Sequence, residues 1–228
     1  MADIGKLYFD LHYWWLSLPA LLRGAEVTIG LAVAVTVIGV ASGLLLATAR
    51  ALDFSPLSLL IVTFVDVFRA IPVIVILFLL FFALPYAGVS MNGPACAIAA
   101  LSLNLAAVAE EAFWAGIRAV PDGQLQAARS LGLPEVIVLA LIILPQSIRL
   151  AIPLVTSKVI STTKDTALAS VVAVPELLNQ MSTEQGNYAN PSPLMLGSLI
   201  YLAMFIPLVV CSRSIEQRHL QLPGYRRD

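Results

Sequence analysis

From Val27 to Ala49 the chain carries no charged residue, and the run ends at Arg50. About 20 apolar residues at a 1.5 Å rise cross a bilayer core, so this stretch predicts a first membrane span. The next uncharged stretch, Ala70 to Ala109, is too long for one crossing and is punctuated by Pro85, Gly88, Asn92, Gly93 and Pro94. It therefore splits into a second helix over roughly Leu57 to Leu84, a short turn, and a third helix over Ala95 to Ile117. The pattern then changes: Val120 to Glu135 carries Pro121, Asp122, Gly123, Gln124, Gln126, Arg129 and Pro134, which predicts a loop holding a short helix outside the hydrocarbon. Between Val136 and Val174 the apolar pattern is broken by Pro145, Arg149, Pro153, Lys158, Lys164 and Asp165, and a fourth crossing is placed at Gln146 to Val171. The last span, Leu194 to Cys211, is uncharged and is followed by Arg213, Glu216, Arg218, Arg226 and Arg227. The expectation is an all-α membrane protein of about five transmembrane helices.

Composition agrees with that pattern. Of 228 residues, 59% are hydrophobic and 12% charged, and the mean hydropathy is +0.90. Soluble domains carry about a quarter charged residues, so most soluble enzyme classes are excluded. A net charge of −1 gives no electrostatic reason to expect nucleic acid as a partner. Cys96 and Cys211 sit in separate apolar runs and read as inert thiols. With His12 and His219 at opposite ends, no metal-ligand cluster is expected.

The basic residues orient the chain. Arg50, Arg118, Arg129 and the arginines of the C-terminal tail fall in one set of loops, and no Lys or Arg lies between Asp165 and Ser212. By the positive-inside rule the first set is cytoplasmic, which puts the N-terminus outside and the C-terminus in the cytoplasm. Residues 1–22 hold Tyr8, Phe9, Tyr13, Trp14 and Trp15 among few charges, and read as an aromatic segment lying at the membrane interface rather than a secretory signal. That gives an interfacial segment at 1–22, a transmembrane domain at 23–216 and a basic tail at 217–228.

The polar loop reads Gln126-Ala127-Ala128-Arg-Ser-Leu-Gly132-Leu133-Pro134, followed by Ile142 and then Leu144-Pro145. This spacing resembles the cytoplasmic EAA loop of ABC importer permeases, E-A-A-x-x-x-G-x9-I-x-L-P, with Gln126 in place of the glutamate. Other stretches resemble the subfamily that takes up polar amino acids of the histidine, glutamate, glutamine, arginine and opine class. They are Phe68-Arg-Ala-Ile-Pro72, Ala109-Glu-Glu-Ala-Phe-Trp-Ala-Gly-Ile117, Val120-Pro-Asp-Gly-Gln124, Lys164-Asp-Thr-Ala-Leu168 and Val174-Pro-Glu-Leu-Leu178. The resemblance covers Arg23 to Arg218 and implies a type I ABC importer permease fold. It also implies a coupling helix seated in a nucleotide-binding subunit, two ATPase subunits, a second permease subunit and an external binding protein.

The loop's own residues point the same way. Ala127, Ala128 and Gly132 let another surface approach closely, Leu125, Leu131 and Leu133 offer apolar knobs, and Gly132 and Pro134 end the short helix. Glutamine at Gln126 keeps a hydrogen bond but not a charge, so weakened docking is expected. The chain has no G-x-x-x-x-G-K-[ST] loop, and ATP with its Mg²⁺ is expected on a partner.

Charges inside spans cost a few kcal/mol each and suggest function. Asp66 and Arg69, three apart on one helix face and ahead of a kink expected at Pro72, either pair with each other or contact substrate. Glu110 and Glu111 close the third helix and either face the headgroups or place one of the two toward the bundle interior, and the tag favours Glu110 as the inward one. Lys164 and Asp165, with Thr162, Thr163 and Thr166, could hold both ends of a zwitterion or form a polar break at the outer interface. Arg69, Glu110, Lys164 and Asp165 are the candidate substrate path. The competing functional class is a stand-alone secondary transporter or channel, whose mark would be inverted internal repeats. An intramembrane enzyme would need a nucleophile and base constellation.

Overall fold

The computed structural model describes residues 8–52 and 54–220, with side chains to Ser214. Its order is α1 (Leu11–Arg50), α2 (Ser55–Ala70), α3 (Val73–Phe78), α4 (Gly93–Arg118), α5 (Asp122–Ser130), α6 (Glu135–Val138), α7 (Leu144–Asp165), α8 (Leu177–Tyr188) and α9 (Ser192–Leu220). No strand occurs among the described residues. Four helical runs are long and apolar enough to cross a membrane, and a fifth crossing follows if the bent α2–α3 pair is one span.

α4 is the centre of the bundle. Of its apolar window 72% lies inside the protein, against 28% for α1 and 6% for α9. Small residues explain how α4 is enclosed. On α1 the buried positions Gly24, Thr28, Leu31, Val35, Gly39, Gly43 and Ala47 recur every three or four residues and make one stripe. A Cβ on Gly43 would stand 2.6 Å from the Ala109 side chain and 2.9 Å from the Ala106 carbonyl, so the two backbones touch there. On the other side a Cβ on Gly116 would lie 2.5 Å from the Ser147 carbonyl, which seats α4 against α7.

The expected second helix is broken. α2 stops at Ala70 and α3 resumes at Val73, with the following helical segment bent by 100°. Pro72 is the cause, because it has no N–H for the carbonyl four residues back. That carbonyl belongs to Phe68, and it accepts instead from Asn104 Nδ2 on α4 at 2.9 Å. Pro85 and Pro145 act similarly: a π-helical turn at Leu79–Ala83 precedes Pro85 and another at Leu139–Ile143 precedes Pro145. A widened turn relieves the clash between a proline ring and the preceding turn.

Two helix limits differ from the expected ones. The fourth crossing runs Glu135–Val172, beginning well before Gln146, because the π-turn lets the helix pass through Pro145 unbroken. α1 begins at Leu11, so residues 11–22 are its first turns and no break falls at residue 22. At 40 residues it is about 60 Å long, twice a bilayer core. Residues 1–7 of the aromatic segment and 221–228 of the basic tail lie outside the described residues.

The bundle has two polar ends. At one, Tyr13 of α1 packs on Tyr188 of α8 with ring centroids 5.5 Å apart, and Leu21, Ala25, Leu177 and Met181 form a small core. At the other lie Arg50, Arg118 and the α5 loop.

Candidate functional site

The loop expected to carry coupling is held in one shape by its own backbone. α5 ends in a pair of reverse hydrogen bonds, Gly132 N–H to the Arg129 carbonyl at 2.9 Å and Leu133 N–H to the Ala128 carbonyl at 3.4 Å. This is the αL helix stop, and Gly132 sits in it at φ +72° with open space around it. Pro134 then starts α6, and Arg129 Nε reaches Glu135 Oε1 at 2.7 Å across the turn. Ala128 is buried, anchoring α5 to the protein, while Gln126 and Ala127 are exposed. Leu131 is 78% exposed and Val136 64%. Of the expected knobs Leu131 stands out, Leu125 and Leu133 are half-buried, and Val136 adds an exposed apolar group that spacing alone did not reveal. Ile142, Leu144 and Pro145 lie beyond this surface, in the helical run that leads away from it.

Within the bundle the adjacent glutamates of α4 part company. Glu110 is fully buried and meets Arg50 Nη1 of α1 at 3.1 Å. The Arg50 guanidinium also lies 4.3 Å over the Trp114 ring. Glu110 Oε2 and Arg50 Nε have no partner and no contact with solvent. Glu111 meets Arg69 Nη1 of α2 at 2.7 Å, and these side chains are 47% and 41% exposed. The expected Asp66–Arg69 pair is therefore corrected. Asp66 lies on the exposed side of α2, where water solvates it, whereas Glu111 stands on the neighbouring helix within reach of the Arg69 guanidinium.

The candidate path residues fall into two groups. Arg69 and Glu110 lie near the α5 end, joined through Glu111. Lys164 and Asp165 close α7 toward the α8 end, Lys164 exposed in a groove with Ser198, Tyr201 and Phe205 of α9 and Asp165 half-buried. Neither forms an ion pair among the described residues. The threonines beside them are partly committed: Thr163 and Thr166 donate to the Val159 and Thr163 carbonyls, while Thr162 Oγ1 is buried without a partner.

Three polar groups escaped the sequence reading. Arg50 was legible only as the end of a span, although it is the first charge after a long uncharged run. Asn104 sits mid-helix in an alanine-rich stretch with no spacing cue. Glu176 is buried at the start of α8, accepting from the Leu178 and Asn179 N–H groups at 2.9 and 2.7 Å and from Tyr201 Oη at 2.9 Å. Its place just after Val174-Pro175 was a helix-start cue.

A bundle of apolar helices around a buried, small-residue helix, with a polar loop held in one shape at one end, defines a multi-pass membrane protein. Residues 39–220 match the model of the family described as binding-protein-dependent transport system inner membrane component, and the chain belongs to that family. It is 37% identical over 180 residues to the "Probable glutamine ABC transporter permease protein GlnP" of Bacillus subtilis (strain 168), covering 77% of this chain and 83% of that protein. It is 28% identical over 204 residues to the same organism's "Arginine transport system permease protein ArtQ", covering 89% and 93%. Among solved structures it resembles an amino acid ABC transporter crystallised with histidines, at TM-score 0.79 and 29% identity over 88% of this chain and 94% of that one. The inward-facing MetNI methionine transporter shares the fold, with TM-score 0.66 and 20% identity over 88% and 96%. These likenesses give the type I ABC importer permease fold.

Proposed function

We propose that this chain is the permease subunit of an ATP-driven importer for polar amino acids. It works beside a second permease subunit, the same or homologous, with two ATPase subunits on the α5 loop and an extracytoplasmic amino-acid-binding protein at the α8 end. ATP and Mg²⁺ belong to the ATPase partner. Family membership and relatives named for glutamine and arginine transport support the substrate class. Arginines at the α5 end support a cytoplasmic loop in a bacterial inner membrane, with the N-terminus outside.

The observation that carries the reading is Leu131, an exposed leucine at the tip of a polar loop that its backbone holds rigid. Such a group calls for a protein groove. Movement of the docked ATPases would reach α4 directly, because α5 follows it after Ala119-Val120-Pro121 and Val120 is buried. From α4 it passes to α1, α2 and α7, all packed on it.

The test is Gly132→Leu. A side chain at φ +72° costs about 1–2 kcal/mol and fills the approach. The variant is expected to stay folded in detergent but to lose copurification with the ATPase and amino-acid uptake. Normal uptake would sink the docking assignment.

A further inference from the structure

Arg69 and Glu111 are charged and about half exposed, although Glu111 stands seven residues, or about 10 Å, inside the α4 terminus at Arg118. Hydrocarbon does not accept such groups, at a cost of about 2.5–3.5 kcal/mol each, so the face they share opens onto water, headgroups or another polar surface. Arg69 uses one nitrogen on Glu111 and has no other side-chain partner among the described residues. A guanidinium presents a planar fork of five N–H donors, so most of its capacity for a carboxylate is unspent. The pair also sits at the hinge, two residues before the α2–α3 break at Ile71 and Pro72. Among the described residues two polar ties hold this end of α2 to α4, the Asn104 bond to Phe68 and the Arg69–Glu111 ion pair.

Resting on the amino-acid reading above, we propose that the transported amino acid inserts between Arg69 and Glu111, its α-carboxylate on Arg69 and its α-ammonium on Glu111. The pair is in direct contact and parts to admit the substrate, whose two charges replace each partner for the other, so the site's net charge is unchanged by the exchange. No covalent step or proton transfer is needed. Substrate entry thus cuts one of the two ties on the α2–α3 elbow and frees it to move against α4. Arg69 is a specificity residue for the α-carboxylate, and Glu111 is both the ammonium acceptor and the internal latch. Glu110 takes no part, since it is buried on Arg50.

The experiment uses the complete complex with its binding protein, reconstituted in lipid, with ATP hydrolysis measured against each proteinogenic L-amino acid. The best stimulator is then compared with its N-acetyl and α-amide derivatives. Glu111→Gln is expected to raise hydrolysis in the absence of amino acid about threefold to fivefold, since the latch is open. Arg69→Gln is expected to do the same and to raise the half-maximal amino-acid concentration about tenfold or more. Arg69→Lys, which keeps the charge but not the planar fork, is expected to raise the half-maximal concentration as well. Both derivatives are expected to fail.

The proposal is overturned if the three variants match wild type, if stimulated and unstimulated hydrolysis fall together, or if the α-amide works as well as the free acid. Copurified ATPase checks assembly of each variant, and Arg69→Lys carries the decision if Arg69→Gln does not assemble. A wild-type complex that no amino acid stimulates overturns the importer reading itself, whereas a stimulated wild type with indifferent variants overturns only the assignment of this pair.

Discussion

Two successive residues of α4 make two different seams. Glu110 faces α1, where the backbones touch at Gly43, its carboxylate is fully buried against a largely buried Arg50, and an aromatic ring closes over the cation. Glu111 faces α2, where the pair is half exposed and the neighbouring helix breaks two residues later. The chemistry is the same, one carboxylate and one guanidinium, and only the surroundings differ. A buried pair is hard to break because each partner alone is an uncompensated buried charge. A half-exposed pair contributes little to stability and exchanges readily with solvent or with another ion. The first seam is built to stay closed and the second to open.

The largest expected effect breaks the closed seam. Glu110→Ala strands Arg50 and is expected to cost about 3–5 kcal/mol, read as loss of thermal or denaturant stability of the purified complex. The comparison sharpens if both partners go. Arg50→Met with Glu110→Leu removes both charges, including the unpartnered Arg50 Nε and Glu110 Oε2, and is expected to recover most of the loss. A double variant as unstable as Glu110→Ala would mean that the pair's geometry, not the stranded charge, holds the seam.

Gly43→Val attacks the same seam without touching a charge. Its new side chain meets the Ala106 carbonyl and Glu110 nitrogen, both backbone atoms at 2.9 Å from the first added carbon. Backbone cannot swing aside, so a cost of about 1–3 kcal/mol is expected, again as lowered stability. Across α4, Glu111→Gln is expected to cost no more than about 1 kcal/mol in the same stability measurement. A Glu111 variant as damaging as the Glu110 variant would erase the distinction between the seams.

The bundle itself was legible because uncharged runs of span length leave little choice of solvent. The α5 loop was legible because Gly132 and Pro134 have strong local meaning, and the structure puts them at a helix stop and a helix start. Long-range pairing was not legible. Asp66 is three residues from Arg69 in sequence, yet Arg69 reaches across to Glu111, and Arg50 finds Glu110 sixty residues away. Helical spacing says which residues share a face but not which face meets which. The elbow shows a related limit: Pro72 announced a kink, but not that Asn104 of another helix donates to the Phe68 carbonyl left open there.

Glu176 tests the comparison from a third side, as a buried carboxylate with no cation. Among the described residues it forms no ion pair, and its partners are two backbone N–H groups and the Tyr201 hydroxyl, with Thr28 beside it holding the Leu177 N–H at 3.1 Å. Burial pushes its carboxyl above the usual range, and the hydrogen bonds that favour the charged form only partly offset that. A folded-state pKa above the unfolded value of about 4.3 means the protonated form is favoured by folding, so its stabilisation is complete below that value. It is lost as pH rises through the folded-state pKa and is constant beyond it. Glu176→Gln cannot titrate, so the wild type is expected to lose stability relative to this variant across that window, on the order of 2–4 °C in Tm for each kcal/mol. The midpoint Tm of both complexes against pH is the measurement. Parallel curves would mean that the Leu178, Asn179 and Tyr201 donors hold the carboxylate charged throughout, and that neutralisation by a cation, as at Glu110, is not the only way this fold keeps a buried acid.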